Sequence, residues 1–287
     1  MDKMKAWTKL FRIKHYIKNT LIFFPLFFSG GLYTAHTIVV FAGSIVFSLA
    51  SSIVYVINDI HDVEKDRVHP EKCKRPLAAG DISIHEAKVG LTMLFILTIV
   101  LLYCSHLDML AIAIVGGYLL INIFYSKFAK NIPIIDVLIL ATGYLLRVYY
   151  GAQLAEVKVS EWMYFTVLFG ALFLGLGKRR GESRITEIGH SRKVLELYNE
   201  KFLDKNMYMS LAITIVFYAL WCVSEEVSSM YPQMIWTTVL VYAICMEYTL
   251  ILEKGSDGDP VSVLFKNKGL LGMIVGLAII ILWIMYR

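Results

Sequence analysis

The sequence "VFSLASSIVYVINDIHDVEKD", residues 46–66, changes abruptly from an apolar run to a cluster of acidic residues. Its first twelve residues carry no charge, whereas the nine that follow include three aspartates. A long uncharged stretch is typical of a helix that crosses a lipid bilayer, because charged groups in hydrocarbon cost free energy. We therefore interpret this junction as the point where a transmembrane helix reaches the membrane surface.

The composition places the whole chain in the membrane class. Of its 287 residues, 57% are hydrophobic and 18% are charged, which is too apolar for an ordinary soluble domain. No linker or low-complexity segment divides the chain. The sequence therefore predicts an all-α integral membrane protein, a bundle of about nine transmembrane helices in a single domain over residues 1–287. The apolar runs long enough to span are centred near Phe27, Phe47, Phe95, Val115, Leu140, Leu168, Ile215, Val241 and Ala278.

The positions of the 28 Lys and Arg residues predict the orientation of these helices. Most of them lie in the amino-terminal segment and in alternate loops, and such basic loops stay on the cytoplasmic side of a membrane. The amino terminus is therefore expected in the cytoplasm. The same topology, together with attraction to anionic lipids, accounts for the net charge of +5, so we do not expect binding to nucleic acid.

The three aspartates of the opening stretch, Asp59, Asp62 and Asp66, are spaced as i, i+3 and i+7. If the helix continues past the membrane edge, they share one face within about 60°, with Asn58 at its flank. Carboxylates so close together repel one another unless a cation lies among them, and oxygen ligands of this kind suit Mg²⁺ with a bound phosphate group. The sequence therefore predicts that Asn58, Asp59, Asp62 and Asp66 hold Mg²⁺ and a diphosphate.

Basic residues follow the aspartates directly. Lys72, Lys74 and Arg75 are placed to hold the outer oxygens of a diphosphate whose inner oxygens contact the metal. The alternative interpretation is a solvated interfacial loop in which acids and bases balance one another. The regular spacing of the aspartates favours the metal site.

The stretch "NDIHDVEKD", residues 58–66, fits the pattern NDxxDxxxD and resembles the UbiA-type polyprenyl transferase superfamily. Residues 74–80, "KRPLAAG", and 125–152, "YSKFAKNIPIIDVLILATGYLLRVYYGA", resemble the same superfamily. The resemblance implies a membrane enzyme of nine helices that cleaves a diphosphate ester with Mg²⁺ on aspartates at the cytoplasmic side. It also implies that Tyr125 and Lys130 contact the donor diphosphate, although both residue types also serve as interface anchors.

The second aspartate motif of that superfamily is missing from the loop after the sixth apolar run. Residues 175–193 read "GLGKRRGESRITEIGHSRK" instead, with Lys178, Arg179 and Arg180 adjacent and Glu182 as the first acid. Together with "HYIKNTLIFFPLFFS" (15–29) and "GSDGDPVSVLFKNKGLL" (255–271), this segment resembles the decaprenyl-phosphate phosphoribosyltransferases. That branch uses phosphoribosyl diphosphate and a polyprenyl phosphate.

A donor with a diphosphate and a separate 5-phosphate needs one metal site and one further cationic site. The three adjacent cations Lys178, Arg179 and Arg180 fit the second requirement, with Glu182 beside them. Anchoring of a helix end by positive charge is the alternative explanation for the same residues.

Asp136 and Arg147 lie in one apolar run, eleven residues apart. They share a helical face but are separated by about 16 Å along the axis, so they cannot pair directly. An arginine this deep must face a cavity or a partner. Arg147 therefore either lies near a substrate phosphate or pairs with an acid such as Glu247. Lys18 is similarly either a substrate contact or an anchor.

Several other residues are weaker candidates. Asp257 and Asp259 in "GSDGDP" are most simply explained by a turn, which Gly, Asp and Pro form without any ligand. The four cysteines and seven histidines show no metal-ligand spacing.

We therefore expect a transferase in the plasma membrane of a bacterium, with its active site facing the cytoplasm. Asp59, Asp62 and Asp66 would act through Mg²⁺ as 5-phosphoribose moves from phosphoribosyl diphosphate to a polyprenyl phosphate and diphosphate leaves. One alternative is a UbiA-type prenyltransferase that moves an isoprenoid chain to an aromatic or haem acceptor. Another is an anionic-lipid transporter or flippase. Lipid chain length stays open, and so does assembly as a homo-oligomer.

Overall fold

A computed structural model of the protein describes residues 2–68, 72–105, 107–185, 193–256 and 258–287. These residues form helices joined by turns, and none of them lies in a β-strand. Residues 186–192 of the basic loop and Asp257, both discussed above, lie outside the described residues. The predicted all-α fold class is confirmed.

Thirteen α-helices and six 3₁₀ helices make up the described chain. The α-helices are α1 (Lys3–Leu10), α2 (Phe24–Phe28), α3 (His36–His61), α4 (Val63–Arg67), α5 (Ile84–Cys104), α6 (Met109–Lys127), α7 (Ile135–Ala155), α8 (Glu161–Ile185), α9 (Glu200–Val223), α10 (Glu225–Met230), α11 (Thr237–Glu253), α12 (Pro260–Lys266) and α13 (Lys268–Tyr286). The 3₁₀ helices are Ile13–Phe23, Gly31–Tyr33, Lys72–Lys74, Ala129–Asn131, Lys193–Glu196 and Pro232–Trp236.

Seven of the described helical segments are long and apolar enough to cross a membrane. A helix of about 20 residues spans roughly 30 Å, the thickness of the hydrocarbon core. The protein is therefore an integral membrane protein, as predicted, but nine spans and the orientation of the amino terminus are not confirmed. The seven segments are His36–His61, Ile84–Cys104, Met109–Lys127, Ile135–Ala155, Glu200–Val223, Pro232–Glu253 and Lys268–Tyr286.

The first apolar run, near Phe27, does not form one long α-helix. It forms the 3₁₀ helix Ile13–Phe23 followed by α2, which has only five residues and a proline, Pro25, in its first turn. Proline is tolerated in the first turn of a helix because the amide it lacks would be unpaired there. This run therefore contributes two short elements rather than a regular span.

The chain divides into two compact units, and α7 contributes residues to both. The first unit comprises Met1–Phe128 and Leu146–Lys158. Its core surrounds α3, where Phe47 packs against the rings of Tyr118 and Tyr150. Gly151 permits a close backbone approach there, since a Cβ at this position would lie 1.8 Å from the carbonyl oxygen of Ile22.

The second unit comprises Ala129–Leu145 and Val159–Arg287. Helix α8 packs along α9, and its core includes Leu176, Met207 and Leu252. Gly258 has φ +70°, and a Cβ there would lie 2.4 Å from the carbonyl oxygen of Gly177. The turn that contains Gly258 therefore lies directly against the backbone of α8, just before the adjacent cations.

Candidate active site

The aspartate motif spans the end of α3 and the start of α4. Asp62 lies between the two helices with φ −97° and ψ 7°, so the α-helix is interrupted at this residue. Helical hydrogen bonding nevertheless continues, because the amide of Asp62 donates to Asn58 and the amide of Asp66 donates to Asp62, each at 2.9 Å. The interruption at Asp62 therefore leaves these two backbone hydrogen bonds in place.

Two of the aspartates are buried and joined by arginines. Asp59 is 2% exposed and Asp66 is 4% exposed. Nη1 of Arg75 donates to Oδ2 of Asp66 at 2.7 Å and to Oδ1 of Asp59 at 3.2 Å. Nη2 of Arg12 donates to the same Oδ1 at 2.6 Å. The result is an alternating row of charges, Arg12, Asp59, Arg75 and Asp66, which compensates carboxylates that would otherwise be costly to bury. We call these four residues the Arg–Asp row.

Arg12 was missed by the sequence analysis. Its guanidinium lies 4.7 Å from the ring centroid of Tyr55, one helical turn before Asp59 on α3. The hydrogen bond from Arg12 to Asp59 joins residues 47 positions apart, and no local sequence pattern predicts it. The charge of the amino-terminal segment was the only available signal, and topology explained that charge equally well.

Arg147 lies in a second polar cluster of the first unit. Its side chain is buried, with Nε donating to Oδ1 of Asn19 at 2.7 Å and Nη2 to the hydroxyl of Tyr118 at 3.2 Å. Cζ of the guanidinium also lies over the rings of Phe47 and Tyr118, 5.1 and 5.0 Å from their centroids. Asn19 in turn donates to Ser48 at 2.8 Å. These contacts give Arg147 the partners that burial requires, and its contact with a substrate stays a prediction.

In the second unit, Arg179 and Asp136 form a buried ion pair. Their side chains are 1% and 0% exposed, and Nε of Arg179 donates to Oδ2 of Asp136 at 2.6 Å. Nη1 of Arg179 donates to Glu182 at 2.5 Å. The other oxygen of Asp136 accepts a hydrogen bond from the hydroxyl of Tyr198 at 2.7 Å. Sequence reasoning placed Asp136 and Arg179 at the site separately and did not pair them.

Tyr198 also connects this network to the backbone by a hydrogen bond. Its hydroxyl accepts a hydrogen bond from the amide of Ile134 at 2.6 Å, and Ile134 has φ 69°, which is a strained value for a β-branched residue. Burial, with a further contribution from the hydrogen bond to Asp136, raises the pKa of Tyr198 to about 12. The hydroxyl therefore stays protonated and donates to Asp136 at neutral pH.

The other two adjacent cations are also paired with carboxylates. Arg180 is 3% exposed; its Nε donates to Asp204 and its Nη2 to Glu253 at 2.7 Å. Nζ of Lys178 donates to Oδ1 of Asp259 at 3.1 Å. A phosphate at these cations would therefore have to share them with, or displace, a carboxylate. Their predicted role as a second phosphate site stays a prediction.

Comparison with known proteins identifies the family. Residues 20–269 match the model of the UbiA prenyltransferase family. The chain belongs to this family. It is 29% identical over 267 residues to the decaprenyl-phosphate phosphoribosyltransferase of Corynebacterium glutamicum, covering 91% of this chain and 80% of that protein. The protein of the same name from Mycolicibacterium smegmatis is 29% identical over 234 residues, with 78% and 73% covered. The predicted family, and the resemblance to these phosphoribosyltransferases, are confirmed.

A solved structure shares the fold. The structure of a UbiA homolog from Archaeoglobus fulgidus bound to GPP and Mg²⁺ superposes with a TM-score of 0.68 over 96% of both chains. The sequence identity is 19%, so the likeness shows the fold alone. Its membership of the UbiA prenyltransferase family and its seven long apolar segments identify the protein as a membrane-embedded transferase.

The oxygen ligands of the UbiA-family motif suit Mg²⁺ in their chemistry. The hydrogen bonds to Asp59 fall on Oδ1 and the one to Asp66 falls on Oδ2, so each carboxylate keeps its other oxygen for a metal. The amide oxygen of Asn58 accepts a hydrogen bond from the hydroxyl of Ser126, which fixes its direction. Among the described residues no three His, Cys, Asp or Glu side chains converge as a ready metal site. Arg75 lies between the two buried carboxylates as their cation.

The remaining predicted contacts are distributed over both units. Of the basic residues after the motif, Arg75 reaches the aspartates, whereas Lys74 is exposed. Lys18 and Tyr125 are half-buried in the first unit, and Lys130 is half-buried in the second. The roles of Lys18, Lys74, Arg75, Tyr125 and Lys130 in substrate binding stay predictions.

Proposed function

We propose that this UbiA-family protein transfers 5-phosphoribose from phosphoribosyl diphosphate to a polyprenyl phosphate and releases diphosphate. The observation that carries the proposal is the similarity over most of both chains to proteins named decaprenyl-phosphate phosphoribosyltransferase. The Arg–Asp row supports it, because this row offers both metal ligands and cations in one place. The missing second aspartate motif favours this branch over an ordinary prenyltransferase.

Asn58, Asp59, Asp62 and Asp66 would hold Mg²⁺, which when bound would offset the negative charge of the departing diphosphate. Burial of Asp59 and Asp66 keeps water away from their carboxylates and fixes their positions before the substrate arrives. The hydroxyl of Ser126 fixes the direction of the Asn58 amide oxygen by donating a hydrogen bond to it. Arg75 supplies positive charge beside both carboxylates and is 30% exposed, so it is accessible to a phosphate oxygen.

The acceptor makes few chemical demands on the protein. A lipid phosphate is anionic at neutral pH and can attack C1 of ribose without a general base, and the diphosphate needs no proton to leave. Positioning and electrostatic stabilisation therefore account for the reaction. Direct contacts of Lys18, Lys74, Tyr125, Lys130 and Lys178 with the substrates are part of the proposal. Asp136, Arg147, Arg179, Arg180 and Glu182 are proposed to shape the substrate sites through the networks described above.

We further propose nine membrane spans, a cytoplasmic amino terminus and an active site at the cytoplasmic face of a bacterial plasma membrane. The distribution of Lys and Arg supports this orientation. Helix α8 and the short elements over residues 13–28 would supply the two spans beyond the seven long apolar segments. A single functional domain over residues 1–287 is part of the same proposal.

The test measures which labelled donor group is transferred to an acceptor. Purified protein in detergent receives Mg²⁺, a polyprenyl phosphate, and either ribose-labelled phosphoribosyl diphosphate or a labelled isoprenyl diphosphate with an aromatic acceptor. We expect only the ribose label to enter the lipid phase, and none with Asp62→Ala. Transfer of the isoprenyl label to the aromatic acceptor, without transfer of ribose, would instead identify an ordinary prenyltransferase.

A further inference from the structure

We infer that Asp259 makes an autoinhibitory contact: its carboxylate pairs with Lys178 in α8 and must be displaced before a phosphate group binds to that lysine. The inference rests on the proposed function, because a direct contact of Lys178 with the substrates is proposed there. The sequence explained "GSDGDP", residues 255–260, by a turn alone. The structure gives one carboxylate of that turn a cationic partner in a distant helix.

The turn between α11 and α12 is packed against α8. Gly255 and Gly258 have φ values of +91° and +70°, in the left-handed region that glycine tolerates best. The backbone of Gly258 lies so close to Gly177 that a Cβ would be 2.4 Å from the carbonyl oxygen. This close approach holds the next residue, Asp259, beside Lys178.

The two carboxylate oxygens of Asp259 have different partners. Oδ2 accepts a hydrogen bond from the amide of Ser262 at 3.2 Å, which makes Asp259 the N-cap of α12. Oδ1 accepts a hydrogen bond from Nζ of Lys178 at 3.1 Å. Asparagine caps a helix as well as aspartate does, but it carries no charge. The cap and the ion pair can therefore be separated by one substitution.

Lys178 is the adjacent cation of α8 that a ligand can reach. Its side chain is 32% exposed, whereas those of Arg179 and Arg180 are 1% and 4% exposed. An ammonium group has three N–H donors, and the hydrogen bond to Asp259 uses one of them. An ion pair as exposed as this one is weak. A phosphate group can therefore displace the carboxylate at a modest cost.

The position of Asp259 gives the direction of the effect. Its carboxylate offsets the charge of Lys178 and repels an arriving anion, and the packing of Gly258 and the helix cap keep it in place. Removing the negative charge should therefore strengthen the binding of a phosphate group. If Asp259 instead served to hold Lys178 ready for the ligand, the same change would weaken binding.

The experiment measures the binding of ribose 5-phosphate to the full-length protein in detergent, without divalent cations, by isothermal titration calorimetry. This probe carries a phosphate monoester and no diphosphate, so it does not require the metal site. In Asp259→Asn we expect the affinity to rise about threefold, the effect of one partly exposed ion pair. Glu226→Gln makes the same chemical change at an exposed residue of α10 and is the matched control, with unchanged affinity.

A double-mutant cycle tests whether Asp259 acts through Lys178. Lys178→Gln should weaken binding, and Asp259→Asn should bring no gain when it is added to Lys178→Gln. An equal gain with and without the lysine would overturn the inference, because the charge of Asp259 would then act on the probe without competing for Lys178.

A second variant separates binding from folding. Asp259→Ser also retains a capping oxygen, so both variants should unfold near the wild-type midpoint, and both should show the threefold gain. Weaker or unchanged binding of ribose 5-phosphate in these variants, or no binding at all, would overturn the inference.

The proposed function can fail independently of this inference. Its failure would appear as ribose label absent from the lipid, with the gain in Asp259→Asn intact. Failure of the inference would leave ribose transfer by the wild-type protein in place and remove only that gain.

Discussion

Replacing Asp136 with asparagine should destabilise the protein strongly. The change removes one charge from an ion pair whose side chains are 1% and 0% exposed, and it leaves the guanidinium of Arg179 buried. Removal of one partner from a buried pair costs about 3 to 5 kcal/mol. Arg179 keeps its contact with Glu182, so we expect the lower end of that range. At roughly 2 to 4 °C per kcal/mol, the midpoint of thermal unfolding should fall by roughly 6 to 12 °C.

The assay is thermal unfolding of Asp136→Asn in detergent, followed by circular dichroism, with kinetics measured well below the midpoint. Glu64→Gln is the matched control, because it makes the same chemical change in an exposed pair with Arg67 and should shift the midpoint by little. Tyr198→Phe should lie between the two, since it removes the hydrogen bonds to Asp136 and from Ile134. An unchanged midpoint together with a raised KM for the donor would refute a structural role and place Asp136 in the substrate site.

Three further predictions concern the metal, the donor and the core. Asp62→Ala should abolish turnover and its dependence on Mg²⁺ while circular dichroism stays normal, because Asp62 is only half-buried; full activity would remove it from the metal site. Phosphoribosyl diphosphate with Mg²⁺ at 100 times its Kd should stabilise the protein by about 2.7 kcal/mol. Farnesyl diphosphate or ribose 5-phosphate at the same concentration should stabilise it less. The reverse order of unfolding midpoints would argue against phosphoribosyl diphosphate as the donor. Gly151→Ala should lower the unfolding midpoint far more than Gly116→Ala, where a Cβ meets nothing within 4 Å; equal effects would contradict the close approach.

The long helices were predictable because hydropathy is a local property. The apolar runs centred near Phe47, Leu168 and Ala278 fall inside α3, α8 and α13. The run near Phe27 was different, because a window of apolar residues cannot show that Asn19 will be buried against Ser48. That contact joins residues 29 positions apart and is made in a 3₁₀ helix. Hydropathy predicts that a segment prefers lipid, whereas tertiary hydrogen bonds decide whether it forms one regular helix.

The aspartate motif was predictable for a related reason. Asp59 and Asp66 are close in sequence, so helical periodicity alone brings them to one face. Their arginine partners were less accessible to sequence reasoning. Arg75 was predicted to contact phosphate, and in the structure it lies between the carboxylates of Asp59 and Asp66. Arg12, which has a left-handed backbone conformation, contacts Asp59 as well. Contacts across such distances in sequence depend on the fold rather than on spacing.

The adjacent cations of α8 show how sequence proximity can mislead about charge. Lys178, Arg179 and Arg180 look like a concentrated positive patch, and only Glu182, three residues beyond Arg179, is a partner that helical spacing indicates. Their other carboxylate partners come from distant elements and include Asp136 in α7, Glu200 and Asp204 in α9, Glu253 in α11, and Asp259 before α12. A patch compensated in this way attracts an anion weakly until a carboxylate moves. The Arg–Asp row would differ if, as we propose, a divalent cation binds its carboxylates and leaves the arginines to contact phosphate. The initial affinity for the diphosphate of the donor should therefore arise at the Arg–Asp row, and the cations of α8 should contribute only after their own ion pairs have rearranged.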